Sequence, residues 1–338
     1  MSSGNDRTLR FTRYAVQAFF MLVTLWIGWR FYGFVAHFEN PSLPQVERPP
    51  SVDAFLPIGG LMAAKYFLFT GIVEPVHPAG FFLFVGIVTS ALVMKKGFCG
   101  WICPVGTISQ LLWMAGEKLT RRRLVMPSRI DVPLRGVKYF LMFLFIMAIG
   151  VAMSPNMMVL FFLSDYYKTV DVLMMRFFTD MSAVTAWTLG ALGALSLFYR
   201  NFWCRYLCPY GALLGLASLT SPFKIRRNDD KCVHCRACSR HCPSQLDVEK
   251  LGVISSPECY GCLTCVSRCP SAGALEITVR VNEGRKKVNP YVAPAVLVAV
   301  FYAFIVLGMA IGKWQTAIPY EEYKRVIPAL RAGDSARM

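Results

Sequence analysis

The chain has 338 residues, of which 55% are hydrophobic and only 17% charged, and 36 Lys and Arg against 20 Asp and Glu give a formal charge of +16. Its mean hydropathy is +0.44. A soluble domain carries about a quarter charged residues, so disorder, a coiled coil and a single soluble enzyme domain are excluded. A surplus of cations points either to nucleic acid or to the cytoplasmic loops of a membrane protein, and where the cations lie decides between them.

Arg7, Arg10 and Arg13 precede an apolar run from Tyr14 to Phe38 whose one charge is Arg30. The run is long enough to span a bilayer, and no cleavage site follows, so a retained first transmembrane helix is predicted. Residues 39–53 are polar and Pro-rich, a loop. Residues 54–78 are apolar but broken by Pro57, Gly59, Gly60, Lys65 and Glu74, which predicts an interfacial or re-entrant segment. A second helix is predicted from Pro78 to Met94, ahead of Lys95 and Lys96. Residues 97–135 hold Cys99, Cys103 and Arg121, Arg122 and Arg123. A third helix is predicted over Val137–Met153 and a fourth over Ala183–Phe198, with a mixed stretch between them. Arg200–Lys287 is polar, basic and rich in cysteine, and a fifth helix is predicted over Val292–Gly312 before a short mixed tail.

The cations are dense before the first helix, between the second and third, and between the fourth and fifth. They are sparse in the alternate loops. This predicts a cytoplasmic N-terminus, five spans and a periplasmic C-terminus. The tail cations Lys313, Lys324, Arg325, Arg331 and Arg337 are a mild exception, offset by Glu321, Glu322 and Asp334. The charge therefore reads as topology, and no nucleic-acid partner is expected. The fold class expected is a polytopic α-helical membrane protein of about five helices in two related halves, carrying an inserted α+β two-cluster ferredoxin domain. The division expected is a membrane domain over 1–200, a cytoplasmic cysteine-rich domain over 201–287, and a last helix and tail over 288–338.

All twelve cysteines fall into four short clusters. Cys232, Cys235, Cys238 and Cys242, then Pro243, read C-x2-C-x2-C-x3-C-P, and Cys259, Cys262, Cys265, Cys269 and Pro270 repeat it. This is the bacterial two-cluster ferredoxin spacing, in which the fourth cysteine of each run ligates the other cluster. Two [4Fe-4S] clusters are expected, one on Cys232, Cys235, Cys238 and Cys269, the other on Cys259, Cys262, Cys265 and Cys242. Structural zinc would use two C-x2-C pairs or Cys with His. His234 and His241 are near, but the eight thiols already complete two cubanes.

The segments KKGFCGWICPVG (Lys95–Gly106) and RNFWCRYLCPYG (Arg200–Gly211) form an internal repeat, each following a membrane helix. If locally helical, cysteines four apart share one face, and two such faces would present Cys99, Cys103, Cys204 and Cys208 together at the cytoplasmic membrane surface. Three uses stay open: a third metal centre, a dithiol relay or transient copper site, and structural thiols. A permanent disulfide is not expected beside a reducing cytosol.

The order RPPSVDAF at 48–55, FCGWICPVG at 98–106, WCRYLCPYGAL at 203–213 and the ferredoxin pair resembles the NapH/NosR/CcoG group of membrane polyferredoxins, over about residues 50–280. The resemblance implies a multi-pass protein of the bacterial inner membrane. Its implied work is to move electrons between the quinone pool and a reductase, iron–sulfur or cytochrome partner, in the manner of a quinol dehydrogenase subunit. The alternative it implies is a CcoG-like copper reductase or assembly factor. No flavin-binding domain is expected ahead of the first helix, as in a full NosR, and no sizeable domain after the fifth, as in CcoG. For the quinone, Glu74 and His77 are the candidate proton acceptors, with Asp165, Tyr166, Tyr167 and Asp171 near the same predicted helix ends. An aromatic belt would account for the same residues. His37 and His77 could ligate haem, but no C-x-x-C-H is present for covalent attachment.

Overall fold

The computed structural model describes residues 6–281 and 284–331. Asp334 and Arg337, part of the tail's charge pattern, lie outside the described residues, as do residues 1–5.

Among the described residues, three helices are long and apolar enough to cross a membrane: Arg7–Glu39, Ser128–Ala152 and Val292–Ala310. The first takes in the Arg7–Arg13 turn as well as the apolar run. The second begins ahead of the expected Val137 and ends in a wide, π-type stretch, Ile146–Ala152. Lys65 donates to the carbonyls of Ile149 (2.9 Å) and Met153 at that irregular end. Val170–Thr179 and Ala183–Phe198 form a fourth span if the pair, bent by 75°, is taken as one. Pro78–Met94 has 17 residues, a rise of about 25 Å against a hydrocarbon core of about 30 Å. Length and composition thus give three or four spans where five were expected. The stretch expected to be re-entrant holds a 14-residue helix, Pro57–Thr70, ended by Gly71 at φ 70°, the left-handed C-cap that glycine adopts without strain.

Contacts divide the chain into two units interleaved in sequence. The first is Met1–Leu22, Ile87–Phe143 and Gly190–Phe301; the second is Val23–Gly86, Leu144–Leu189 and Tyr302–Met338. The first unit contains the sheet β1 (Phe223–Arg227), β2 (Val253–Ile254), β3 (Leu275–Val281) and β4 (Gly284–Val288), antiparallel in the order β2-β1-β3-β4. Ile225 pairs with both Ile254 and Ile277, and all three are buried, so one face of the sheet forms the core of the ferredoxin-like module.

The second unit packs Phe31, Phe34, Val35 and Phe38 against Val172 and the helix Tyr320–Arg331. That helix lies in what the sequence suggested was a mixed tail. Tyr323, Val326, Ile327 and Leu330 recur at helical spacing and are all buried.

Candidate iron-sulfur sites

In the ferredoxin-like module both cysteine runs bend alike. Cys238 sits on the short helix Ala237–Arg240 and Cys265 on Thr264–Ser267. The residues just before and just after the second cysteine are left-handed in each run: His234 (φ 51°) and Arg236 (58°), then Gly261 (58°) and Leu263 (57°). Non-glycine residues rarely adopt this conformation. Here it curls successive amides into a concavity of the kind that receives anions and iron–sulfur centres.

The thiols gather by site rather than by run. Cys232, Cys235, Cys238 and Cys269 line one small cavity. Cys269 feels the charges of Cys238, Cys235 and Cys232. Burial pushes the Cys242 thiol up to about 12, and Cys262 and Cys259 of the other run add to the rise. Cys265 lies near Cys262, Cys259 and Cys242, and more weakly senses Cys238. Among the described residues no three of the sulfurs lie within 4.8 Å of one another. A tetrahedral zinc with Zn–S of about 2.3 Å draws its sulfurs within about 4 Å. The wider spread suits a cubane, which places an iron before each sulfur.

The C-x3-C-P segments break where the sequence suggested one continuous helix face. Cys99 lies on Gly97–Trp101, but Cys103 is extended (φ −62°, ψ 121°) and caps a new helix, Pro104–Thr120. Cys204 lies on the wide turn Trp203–Leu207, and Cys208 (φ −74°, ψ 105°) caps Pro209–Ala217. The proline takes the first helical position, where its missing N–H costs nothing, and the preceding residue is driven out of the helical region. The second thiol of each pair is thereby aimed at the N-terminus of its own helix. The Gly211 amide donates to Cys208 Sγ at 3.2 Å. Burial pushes Cys103 up to about 11 against the opposing amides of Gly106 and Val105. Gly106 is needed for this turn, since a Cβ there would lie 2.3 Å from the Cys99 carbonyl oxygen.

The four thiols converge. Burial pushes Cys99 up to about 12, with Cys103 and Cys208 among the neighbours raising it. Cys204 is raised by burial, then by Cys208, Cys103 and Cys99. Beside them Lys96 is 1% exposed, and its Nζ has no hydrogen-bond partner among the described residues. Its nearest carboxylate oxygen, Glu258 Oε2, is 4.0 Å away, and the Tyr260 ring is 5.2 Å away. A buried ammonium without an acceptor is costly. Four neutral thiols would not offset it, whereas four thiolates around an iron–sulfur centre would. Lys138 donates to Glu258 at 2.6 Å from the Ser128–Phe145 helix. Trp101 donates to the Gly261 carbonyl at 3.1 Å, so the first C-x3-C-P segment lies directly on the second ferredoxin run.

Within the second unit, Glu74 and His77 share one buried network. Glu74 accepts from the amides of Val76 and His77 (both 2.7 Å) and from the Tyr167 hydroxyl (3.2 Å). Burial holds its pKa above the usual carboxylate range. His77 Nε2 lies 2.8 Å from the Tyr167 carbonyl, so that nitrogen carries the proton. Its Nδ1 faces both Asp53 and Arg48. Arg48 binds Asp53 and, at 2.8 Å, Asp171. Asp53, His77 and Asp171 bring ligand atoms within 4.8 Å of one another, but the Arg48 guanidinium occupies the space between the carboxylates. Sequence reasoning missed Arg48 and Asp53 as partners, although both stand in the RPPSVDAF segment. Tyr166 is exposed. Asp165 pairs with Arg325 at 2.7 Å. Both ring nitrogens of His37 are engaged, by the Leu43 carbonyl and the Tyr320 hydroxyl, each at 2.8 Å.

Residues 76–126 and 180–228 match the 4Fe-4S binding domain family, each match holding one C-x3-C-P pair, and residues 224–288 match the 4Fe-4S dicluster domain family. The chain is 41% identical over 320 residues to YccM of Escherichia coli (strain K12), a candidate electron transport protein, covering 94% of this chain and 89% of that one. It is 28% identical over 211 residues to the ferredoxin-type protein NapH of the same strain, covering 58% and 66%. It is 27% identical over 194 residues to the regulatory protein NosR of Stutzerimonas stutzeri, covering 56% of this chain and 25% of NosR. No solved structure matches.

Proposed function

Because the chain belongs to the NapH- and NosR-type membrane polyferredoxins, we propose that it relays electrons singly between the quinone pool and a reductase or cytochrome partner at the bacterial inner membrane. Bound iron–sulfur clusters would supply the one-electron carriers. Cys232, Cys235, Cys238 and Cys269 would hold one [4Fe-4S] cluster, and Cys259, Cys262, Cys265 and Cys242 a second. Cys99, Cys103, Cys204 and Cys208 would hold a third. The observation that carries this reading is the convergence of these last four thiols beside the buried Lys96 ammonium, which has no hydrogen-bond acceptor among the described residues. The three thiol groups also adjoin in series. Gly100, next to Cys99, would place a Cβ 3.3 Å from that of Cys262, and Cys265 senses Cys238.

The chain's own residues set the electrostatics of the path. Lys96 faces Cys99, Cys204 and Cys208, and amides at two helix N-termini oppose the rise that burial imposes on the Cys103 and Cys208 thiols. The charge pattern supports five spans with the N-terminus and ferredoxin module in the cytoplasm and the C-terminus in the periplasm. Pro78–Met94 and the bent pair would then be short spans. Glu74 and His77 would take the quinol's protons, supported by their burial beside the Tyr167 hydroxyl.

The test is iron and acid-labile sulfide per chain in the purified protein, followed by EPR after quinol addition. Three clusters give about twelve irons. About eight irons, with copper bound or a titratable dithiol at the C-x3-C-P cysteines, would favour the metal-reductase alternative instead. Quinol that leaves every cluster oxidised would remove the quinone from the scheme.

A further inference from the structure

The first unit holds a cavity of about 460 Å³, within the size range of ligand pockets, that meets the proposed relay at Cys262 in its wall and is otherwise lined by no cysteine. It is walled by the start of the Arg7–Glu39 helix, the Pro104–Thr120 helix, the Arg121–Arg123 turn and the residues around Arg268. Eight cationic side chains line it against one carboxylate, Glu117. Arg200 and Arg123 pair with Glu117, at 2.6 and 3.6 Å. Arg10, Arg13, Lys118, Arg121, Arg122 and Arg268 form no ion pair among the described residues. Arg13 is held in place by the Gly100 carbonyl, Gln110 and Thr264. Arg10 Nη1 and Trp113 Nε1 are buried donors with no acceptor among the described residues. So many unneutralised cations repel one another unless an anion joins them, and guanidinium groups suit phosphate in particular.

The same helices leave large apolar side chains uncovered: Phe11 (73% exposed), Leu111 (57%) and Leu119 (83%). A ligand with a phosphate head and apolar chains would meet both surfaces. We propose that this cavity binds a phosphate-bearing anion, and that the occupant is the headgroup of an anionic phospholipid.

The whole chain, purified in detergent, is titrated with phosphatidylglycerol, phosphatidylcholine and inorganic pyrophosphate, and bound species are counted by native mass spectrometry. The variant is Arg10→Gln/Arg122→Gln, and the control Lys250→Gln/Lys286→Gln removes the same charge elsewhere. Iron–sulfur absorbance per chain checks that each variant is folded. Phosphatidylglycerol should bind the parent and the control alike and the variant about thirtyfold more weakly, about fivefold per charge removed. Arg122→Gln alone, at an exposed side chain, should give the fivefold step if the double variant does not fold. Pyrophosphate binding that depends on the same arginines, with or without lipid binding, would support phosphate recognition and, without lipid binding, identify a soluble source. Equal binding of phosphatidylglycerol and pyrophosphate by parent and variant, or phosphatidylcholine binding as tightly as phosphatidylglycerol, would overturn the proposal.

Discussion

Lys138 and Glu258 form a buried ion pair at 2.6 Å, Lys138 being fully buried. Lys138 lies on a long apolar helix and Glu258 immediately precedes Cys259, so the pair fastens an apolar helix to the second ferredoxin run. An ionisable residue on such a helix is tolerated when it faces inward and is paired.

Removing one partner of a buried pair strands the other. Lys138→Met leaves Glu258 with the Tyr139 hydroxyl at 2.9 Å and the more distant Lys96. The expected cost is about 3 kcal/mol, read as a lower midpoint for thermal loss of iron–sulfur absorbance. Lys138→Met/Glu258→Leu should lose less than the sum of its single changes, by about 1–3 kcal/mol. Strict additivity would mean the two side chains do not interact.

The pairing of thiols across the two runs has a direct spectroscopic consequence. Cys269→Ala should damage the cluster held by Cys232, Cys235 and Cys238, and Cys242→Ala the other, as seen by EPR and iron counts. If each variant lost the cluster of its own run, the grouping of the thiols would not describe the ligands.

The two C-x3-C-P-x-G turns differ in how much space they leave. At Gly106 a Cβ would meet the Cys99 carbonyl oxygen at 2.3 Å, whereas at Gly211 the nearest atom, Cys208 Sγ, is 3.5 Å away. Gly106→Ala should therefore shift the Cys99 backbone and cost about four irons of the twelve proposed, while Gly211→Ala keeps them. Equal iron content in both variants would contradict this difference.

The carboxylate of Glu322 is held at about 2 by hydrogen bonds from Arg325 and Lys168, against a small opposing effect of burial. Its folded pKa lies below the unfolded value of about 4.3, so the unfolded state binds more protons at acid pH. The stabilisation is fully present above about pH 5 and is lost as pH falls through about 2. The step is small because the pair is partly exposed. Hydrogen exchange of the helix Tyr320–Arg331 should quicken over this window in the parent. Glu322→Gln should already be quickened at neutral pH and show a smaller step, the remainder coming from Asp165, which also pairs with Arg325 and is lowered by it.

Reporter fusions at residues 45 and 225 should report opposite sides of the membrane. Both on one side would contradict the proposed five-span topology, which rests on the alternation of basic loops.

The cofactor chemistry was legible in the sequence because cluster ligands lie within a few residues of one another. Cys232–Cys242 and Cys259–Cys269 declare cubanes through spacing alone, and the order of motifs identified a family to which 41% identity with YccM agrees. The apolar runs were legible for the same reason, since hydropathy is a local sum, and Val292–Ala310 was found within two residues of its expected end. The internal repeat suggested that Cys99 and Cys204 meet, but the other long-range neighbours were not legible: Lys96 and Glu258, Arg48 and Asp171, and Arg10 and Arg268 come together from distant parts of the chain. The helix break at Cys103 and Cys208 follows from the Cys-Pro step, yet only packing aims both thiols at the same place as Cys99 and Cys204. The docking of Tyr323, Val326, Ile327 and Leu330 was hidden by the charges around them. A mixed composition becomes one apolar stripe only once the backbone winds at 3.6 residues per turn and a partner surface exists to cover it.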